Sequence, residues 1–453
     1  MKKYNKFIAL FMIISLIFAP LFTSCDKGGD GAGDETTTTE EVAEEPIVHK
    51  VGFIYDGTVA NSAYNLIWED ARAQLERNFG VETGYVENVF VSNFEDAVRL
   101  LSERNFTVVV STSDAFKPII VKTAELFKKI KFISFGGEKL SANLTTFEPL
   151  IYQPANICGM AASYNTNSEV FGIVSDPVIF NHEGVINAYI RGVKDFVERG
   201  GDFHVNYVNS FIEADVKKAV DDLVEKGIDV IMLYLYTDYA IKYCESLGVK
   251  VVAFSGNLPD LAPQNYITGF YFNVTSYISE QVMYIINDMF FPEHFVGDLG
   301  SGHARMINLN TDENVVSPGT KMFTDALYKR MLTNDQVFKG QIFDNFMNIQ
   351  VEHGYTLNYR EVLEMKWMEF SVGGNIKGFS DAVTEIPYSE LIVRGEWKDG
   401  VRPDHVPNPE DIDYSITTST SAVSNGVLEP NSSVIPTDSG VTTEVTTDAD
   451  SAA

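Results

Sequence analysis

Short apolar runs alternate with amphipathic stretches along most of this chain, and they do so in two series. In the first, "KVGFIY" leads to "NSAYNLIWEDARAQLERNF", "GVETGYVENV" to "FEDAVRLLSERN", and "TVVVST" to "FKPIIVKTAELFKKI", before "KFISFGG". The second starts near residue 152 with the helical "QPANICGMAASY". It continues through "VFGIVS", "GVINAYIRGVKDFVERG", "FHVNYVNS", "ADVKKAVDDLVEKG", "IDVIMLYLY", "DYAIKYCESLG" and "KVVAFSG". A strand that is apolar along its whole length is covered on both faces, which is the pattern of a parallel sheet with helices on either side. Two such series imply two α/β lobes, each doubly wound. In open sheets of this kind ligands bind beyond the carboxyl ends of the strands, so the loops after the strands are the places to read for function.

The two ends of the chain are different in kind. "MKKYNK" is a short basic region, and "FIALFMIISLIFAPLF" is an apolar stretch that runs into "LFTSC". A cysteine at that border, with Thr23 and Ser24 before it and polar sequence after it, fits the lipid-modified first residue of a bacterial lipoprotein. A plain secretory signal or an uncleaved anchor are the alternatives. Residues 26–46 are Gly, Thr and Glu and read as a disordered acidic linker; residues 414–453 are a Ser/Thr-rich tail of the same kind. The formal charge of −29 argues against nucleic acid as a partner, because phosphate binding needs clustered Lys and Arg. The two remaining cysteines, Cys158 and Cys244, sit in apolar helical contexts, which suits buried free thiols.

No catalytic constellation is visible: there is no HExxH, no GxSxG and no phosphate-binding loop. "GGDGAG" in the linker has neither a strand before it nor a helix after it, and His182–Glu183 reads as a surface pair at a loop edge. Several strand ends carry amides, hydroxyls and rings instead. These are Asn61, Tyr64 and Asn65; Ser113, Asp114 and Phe116; Asn257; and Phe272 with Asn273. Each has a structural alternative. Tyr64, Trp68, Ala71 and Leu75 lie at helical spacing and can form a core stripe, Asn61 can be a helix N-cap, and Phe272 can belong to the core of its strand. Taken together, rings that stack and amides that match mixed donor and acceptor edges suit a flat heterocycle.

In order along the chain, "VGFIYDGTVANSAYNLIWEDAR", "STSDAFKPIIVKTAELF", "YQPANICGMAA", "GVINAYIRGVKDF", "NSFIEADVKKAVDDLVEKGIDVI", "FSGNLPDLAP", "FKGQIFDN" and "LEMKWMEFSVGGNI" resemble the basic membrane protein family of lipoproteins, which includes purine nucleoside receptors of ABC importers. The resemblance implies a type I periplasmic-binding-protein fold, two lobes joined by three hinge crossings near 147–152, 269–273 and 304–310, with ligand between the lobes. It places Tyr64 where a ring stacks on the base and Asn65 where a polar side chain meets it. Phe116, Asn187 and Phe272 match further binding positions. Asn61 and Asn257 stand where the family commonly has Asp; an amide donates as well as accepts, which implies a shifted ligand preference.

The reading is therefore a non-enzymatic binding lipoprotein of an ABC importer, held at the extracytoplasmic face by a lipid on Cys25. It takes a nucleoside or nucleobase, without cofactor or metal, at Asn61, Tyr64, Asn65, Ser113, Phe116, Asn187, Asn257 and Phe272. Its partners are a permease, an ATPase and the membrane. The expected organisation is a signal peptide 1–25, lobe 1 from 47–150 completed by about 273–305, and lobe 2 from 151–272. A segment 306–377 completes the lobes and an extension follows at 378–413. A ligand sensor and a secreted nucleoside hydrolase are the rival functions.

Overall fold

A computed structural model describes residues 48–60, 62–197, 201–370, 372–375, 388–403 and 406–407. Cys25, the linker 26–46, Asn61 and the tail 414–453 lie outside the described residues. Among the described residues no helix is long and apolar enough to cross a membrane.

The first series of strands forms β1 (Lys50–Ile54), β2 (Glu82–Val86), β3 (Val108–Ser111), β4 (Lys131–Phe135) and β5 (Leu144–Pro149). The second forms β6 (Val170–Ser175), β7 (Asp202–Tyr207), β8 (Val230–Tyr234), β9 (Lys250–Phe254) and β10 (Tyr266–Phe272). Later come β11 (His294–Gly297), β12 (Ala304–Met306), the small hairpin β13 (Ile342–Phe343) and β14 (Ile349–Val351), and β15 (Val372–Asn375). They assemble into a sheet of order β11-β5-β4-β3-β1-β2 and a second of order β12-β10-β9-β8-β6-β7-β15. All neighbours in the first sheet are parallel; in the second only β12 runs antiparallel, to β10. The sequence reading of a type I periplasmic-binding-protein architecture, α/β with two doubly wound lobes, is the observed one.

The helices are α1 (Ala63–Phe79), α2 (Phe94–Glu103), α3 (Lys117–Leu126), α4 (Tyr152–Ser163), α5 (His182–Lys194), α6 (Glu213–Val224), α7 (Tyr239–Leu247), α8 (Leu258–Leu261), α9 (Thr275–Ile286), α10 (Thr320–Met331) and α11 (Tyr359–Leu363). The stripe expected on α1 is real: Tyr64, Trp68, Ala71 and Leu75 are all buried. Its N-cap is Ser62, whose hydroxyl accepts from the Asn65 N–H at 3.1 Å, and Gly80 closes it in the left-handed conformation.

Up to β12, the described chain passes between lobes at three places. It leaves β5 at Pro149 and enters α4; it returns between β10 and α9, whose Tyr277 hydroxyl meets Thr145 of β5 at 2.9 Å; and it crosses again between β11 and β12. The third crossing therefore lies at 297–304, earlier than expected, because Ala304–Met306 is already paired with β10. Cys158 and Cys244 are free and buried.

Helices α4 and α5 pack backbone to backbone. A Cβ on Gly159 would lie 2.0 Å from the Tyr189 carbonyl oxygen, and one on Gly192 would lie 1.9 Å from that of Asn156. Asn156 Nδ2 also donates to the Ala188 carbonyl at 3.0 Å. No rotamer relieves a clash with backbone, so Gly192→Ala is expected to lower stability by about 3 kcal/mol, read as an earlier urea midpoint at unchanged slope.

Candidate functional site

The loop after β1 holds itself in shape. Asn65 Nδ2 donates to the Thr58 carbonyl at 2.8 Å, and the Val59 N–H donates to Glu87 Oε1 at 2.7 Å. From this loop α1 starts, and Tyr64, on its first turn, points between the lobes. Its hydroxyl donates to the Thr112 carbonyl at 2.7 Å. Its ring lies 5.2 Å from Tyr236, 5.6 Å from Phe272, 6.1 Å from Phe135 and 6.5 Å from Phe254. Tyr236 follows β8 and Phe254 ends β9, so Tyr64 of lobe 1 is lodged among rings of lobe 2. Phe135 at the end of β4 meets Phe180, after β6, at 4.7 Å. Ser62 forms an antiparallel bridge with Thr237. The lobes are closed on each other.

Carboxylates gather around these rings. Asp56 follows β1, Asp114 follows β3 and Asp176 follows β6. Burial pushes the Asp56 carboxyl up to about 6, and the charges of Asp114 and Asp176 push the same way against a hydrogen bond from Ser113. Burial likewise raises Asp114, opposed by Lys117. It raises Asp176 too, opposed by bonds from Ser210, whose N–H donates to Asp176 Oδ2 at 2.8 Å. At the edge, His182 Nδ1 pairs with Glu183 at 2.7 Å, and both begin α5 rather than a loop. A cavity of about 580 Å³ opens beside Phe272, between α1 and the ends of β9 and β10; Asp70, Gln74, Asp238, Asn257, Tyr271 and Ser276 are among its walls. Asp238 Oδ1 is buried there without a hydrogen-bond partner. The size is that of a small-molecule site.

The residues expected to bind ligand divide into groups. Tyr64, Phe272 and Ser113 converge on the closed interface, with Asn65 supporting its loop, and Asn257 lines the neighbouring cavity. Phe116 does not join them. Ser113 accepts from the Ala115 N–H and opens a single 3-10 turn, Asp114–Phe116. The turn swings the Phe116 ring into the lobe 1 core, 4.5 Å from Phe94. Asn187 is also elsewhere: its Oδ1 accepts from the Glu369 N–H at 2.9 Å and its Nδ2 donates to the Trp367 carbonyl at 2.7 Å. It pins the C-terminal segment to α5. Asp56, Asp176, Tyr236 and Phe180 were missed, although each lies in the loop that follows a strand of the first or second series, which is a usable signal.

Glu138, Glu148 and His294 place ligand atoms within 4.8 Å of one another. Lys117 lies 3.3 Å from Glu148 and Arg360 lies 2.7 Å from Glu138, so side-chain cations already supply the charge that a metal would bring.

A family model described as ABC transporter substrate-binding protein, PnrA-like, matches residues 48–329, more than half of the chain. The chain belongs to this family. Among curated proteins, a purine-binding protein of Brucella abortus (strain 2308) is 26% identical to this PnrA-like chain over 235 residues, 50% of this chain and 65% of the relative. A Haloferax volcanii protein named as an ABC transporter glucose-binding protein is 22% identical over 53% of this chain and 61% of its own length. The chain thus spans less than two thirds of either relative. Two solved structures share the fold: ABC transporter solute-binding proteins of Aeropyrum pernix K1 (TM-score 0.56, 13% identity, 63% of this chain and 91% of that one) and of Conexibacter woesei DSM 14684 (TM-score 0.52, 17%, 62% and 96%).

A carboxyl held above its unfolded value contributes most to stability below that value, about 3.9, and the contribution is lost as pH rises through about 6. Asp56→Asn in the PnrA-like chain is therefore expected to melt higher than the native protein at pH 7.5, by about 1–2 kcal/mol, and the difference is expected to vanish by pH 4.

Proposed function

We propose that this PnrA-like chain is the extracytoplasmic binding lipoprotein of an ABC importer, anchored through Cys25. It takes a nucleoside or nucleobase between its lobes and delivers it to a permease and ATPase carried on other chains. The observation that carries the reading is the convergence of the Tyr64, Tyr236 and Phe272 rings with the carboxyls of Asp56, Asp114 and Asp176, which come from strand-end loops of both lobes. When the lobes part, the Tyr64 ring loses its edge contact with Tyr236 and gains a free face. A flat base stacks there, and the carboxylates accept from base N–H groups or ribose hydroxyls. The name of the Brucella relative supports a purine.

The site binds and does not react. Its carboxyls are engaged as hydrogen-bond acceptors, Asp56 from Ser113 and Asp176 from Ser210. A monosaccharide is the second reading, favoured by the name of the Haloferax relative and by the amide- and hydroxyl-lined cavity beside Phe272.

Thermal unfolding of the purified protein against nucleosides, bases, sugars and amino acids tests both readings. A ligand at a hundredfold excess over its Kd is expected to add roughly 2.7 kcal/mol. With a nucleoside or base as that ligand, Tyr64→Ala is expected to abolish the shift and Asp114→Asn to weaken binding roughly 10- to 100-fold. Asn187→Ala, which removes side-chain hydrogen bonds to Met365, Trp367 and Glu369 of the C-terminal segment, is expected to lower the melting temperature while leaving the ligand-induced shift in place. A response to sugars alone sinks the nucleoside reading.

A further inference from the structure

Asp238 stands at the N-cap of α7, the position where an aspartate ordinarily accepts a hydrogen bond from the first helical turn. Its side chain makes no such bond. Thr237 serves instead, its Oγ1 accepting from the Tyr239 N–H at 3.2 Å. Among the described residues the Asp238 carboxylate enters no ion pair, and its Oδ1 is buried without a hydrogen-bond partner. Burial raises this carboxyl, and Lys242, one turn along the helix, opposes the rise from a distance. A carboxylate withdrawn from water without a donor is costly. This one belongs to the wall of the cavity of about 580 Å³ beside Phe272.

Both lobes build that cavity. α1 and the start of α9 supply the lobe 1 side, and Asp238 with the loop after β9 supplies the lobe 2 side. Phe272 is shared: it lines the cavity and its ring also lies 5.6 Å from Tyr64. Among the described residues that line the cavity there is no Lys, Arg or His, while Asp70 adds a second carboxylate. Asp70 is served from its own helix, by Gln74 Nε2 at 2.8 Å and by Arg77 at 3.8 Å. Asp238 is therefore the carboxylate left over.

We propose that this cavity is a second ligand site, separate from the ring-lined cleft, and that it takes a small organic ammonium ion. An ammonium group gives Asp238 a charge-assisted hydrogen bond and neutralises it. The aromatic walls, Tyr271 and Phe272, suit the same charge, because ring faces attract cations. Ser276 and Asn257 offer partners to a hydroxyl on the ligand body. A phosphate or carboxylate would meet two carboxylates with no cation in the walls, and a neutral sugar would leave the charge of Asp238 unbalanced. Because the walls come from both lobes, the site is complete only when they are closed, so an occupant favours closure.

The test uses the full, ligand-free chain, so its outcome does not depend on what the ring-lined cleft takes. Choline and ethanolamine are titrated separately, each beside the neutral alcohol in which carbon replaces its nitrogen. An ammonium compound is expected to raise the melting temperature and to give a saturable calorimetric titration that weakens with added salt, and its neutral analogue to do neither. Asp238→Asn keeps the shape of the side chain and removes its charge. That variant is expected to melt no lower than the native protein and to bind the ammonium compound about 10- to 100-fold more weakly. Ser279→Trp, which fills the cavity without touching a carboxylate, is expected to abolish the response. Silence from both ammonium compounds would overturn the inference. So would an equal response to a neutral analogue, or binding that survives Asp238→Asn undiminished. A response to glucose alone would return the cavity to the monosaccharide reading and overturn it as well.

Discussion

Helices α4 and α5 meet with glycine against carbonyl on both sides, and the hinge leans on that contact. α4 is the first element the chain builds after leaving lobe 1, and its residues from Tyr152 to Ala162 are all buried. Its first turn is tied to the later chain, where Asp335 accepts from Gln153 at 2.9 Å and from the Tyr152 hydroxyl. Its last turn is tied to α10 through Asn165, whose Nδ2 reaches the Thr320 hydroxyl at 3.1 Å. Because α5 cannot slide along α4 without a backbone clash, the loop before α5, carrying Asp176 and Phe180, and His182 at the start of α5 keep a fixed place relative to the hinge. Lobe 2 thus moves as a unit, and the lining of the cleft moves with it.

Closure then balances two opposed forces. Bringing Tyr64 among Tyr236, Phe254 and Phe272 removes large apolar surface from water and sets edge-to-face contacts with Tyr236 and Phe272, each worth about 0.5–1.5 kcal/mol beyond burial. The same motion crowds Asp56, Asp114 and Asp176 together in a dry space, which disfavours their charged forms. A ligand that brings N–H and O–H donors relieves the second term without losing the first, whereas a phosphate would add to the repulsion.

Much of the architecture could be read from the chain because parallel strands covered on both faces demand unbroken apolar runs. "TVVVST" and "IDVIMLYLY" admit little else. The α1 stripe was legible for the same reason of periodicity. The site was legible only in part. Tyr64 and Phe272 stand where strand ends converge, and reading one loop at a time was enough for them. Phe116 turned inward because the Ser113 hydroxyl caps a three-residue turn, a detail that residue type alone does not reveal. Asn187 found its partners about 180 residues later, and the carboxyl trio comes from three loops on two lobes. Such contacts are properties of the tertiary arrangement, and no local pattern encodes them.

The far edges of the two sheets have a further consequence, for association between molecules. An exposed edge strand is a template that other chains can extend by pairing. Here β2 gives its outward N–H and C=O at Tyr85 to Arg394, and β7 is covered by β15. β15 is itself a poor template: its sequence is Val-Gly-Gly-Asn, and Gly374 has a φ of 104°, away from regular strand geometry. With a docked segment on one far edge and a glycine-bent strand on the other, the sheets present no regular ladder on which neighbouring copies could polymerise.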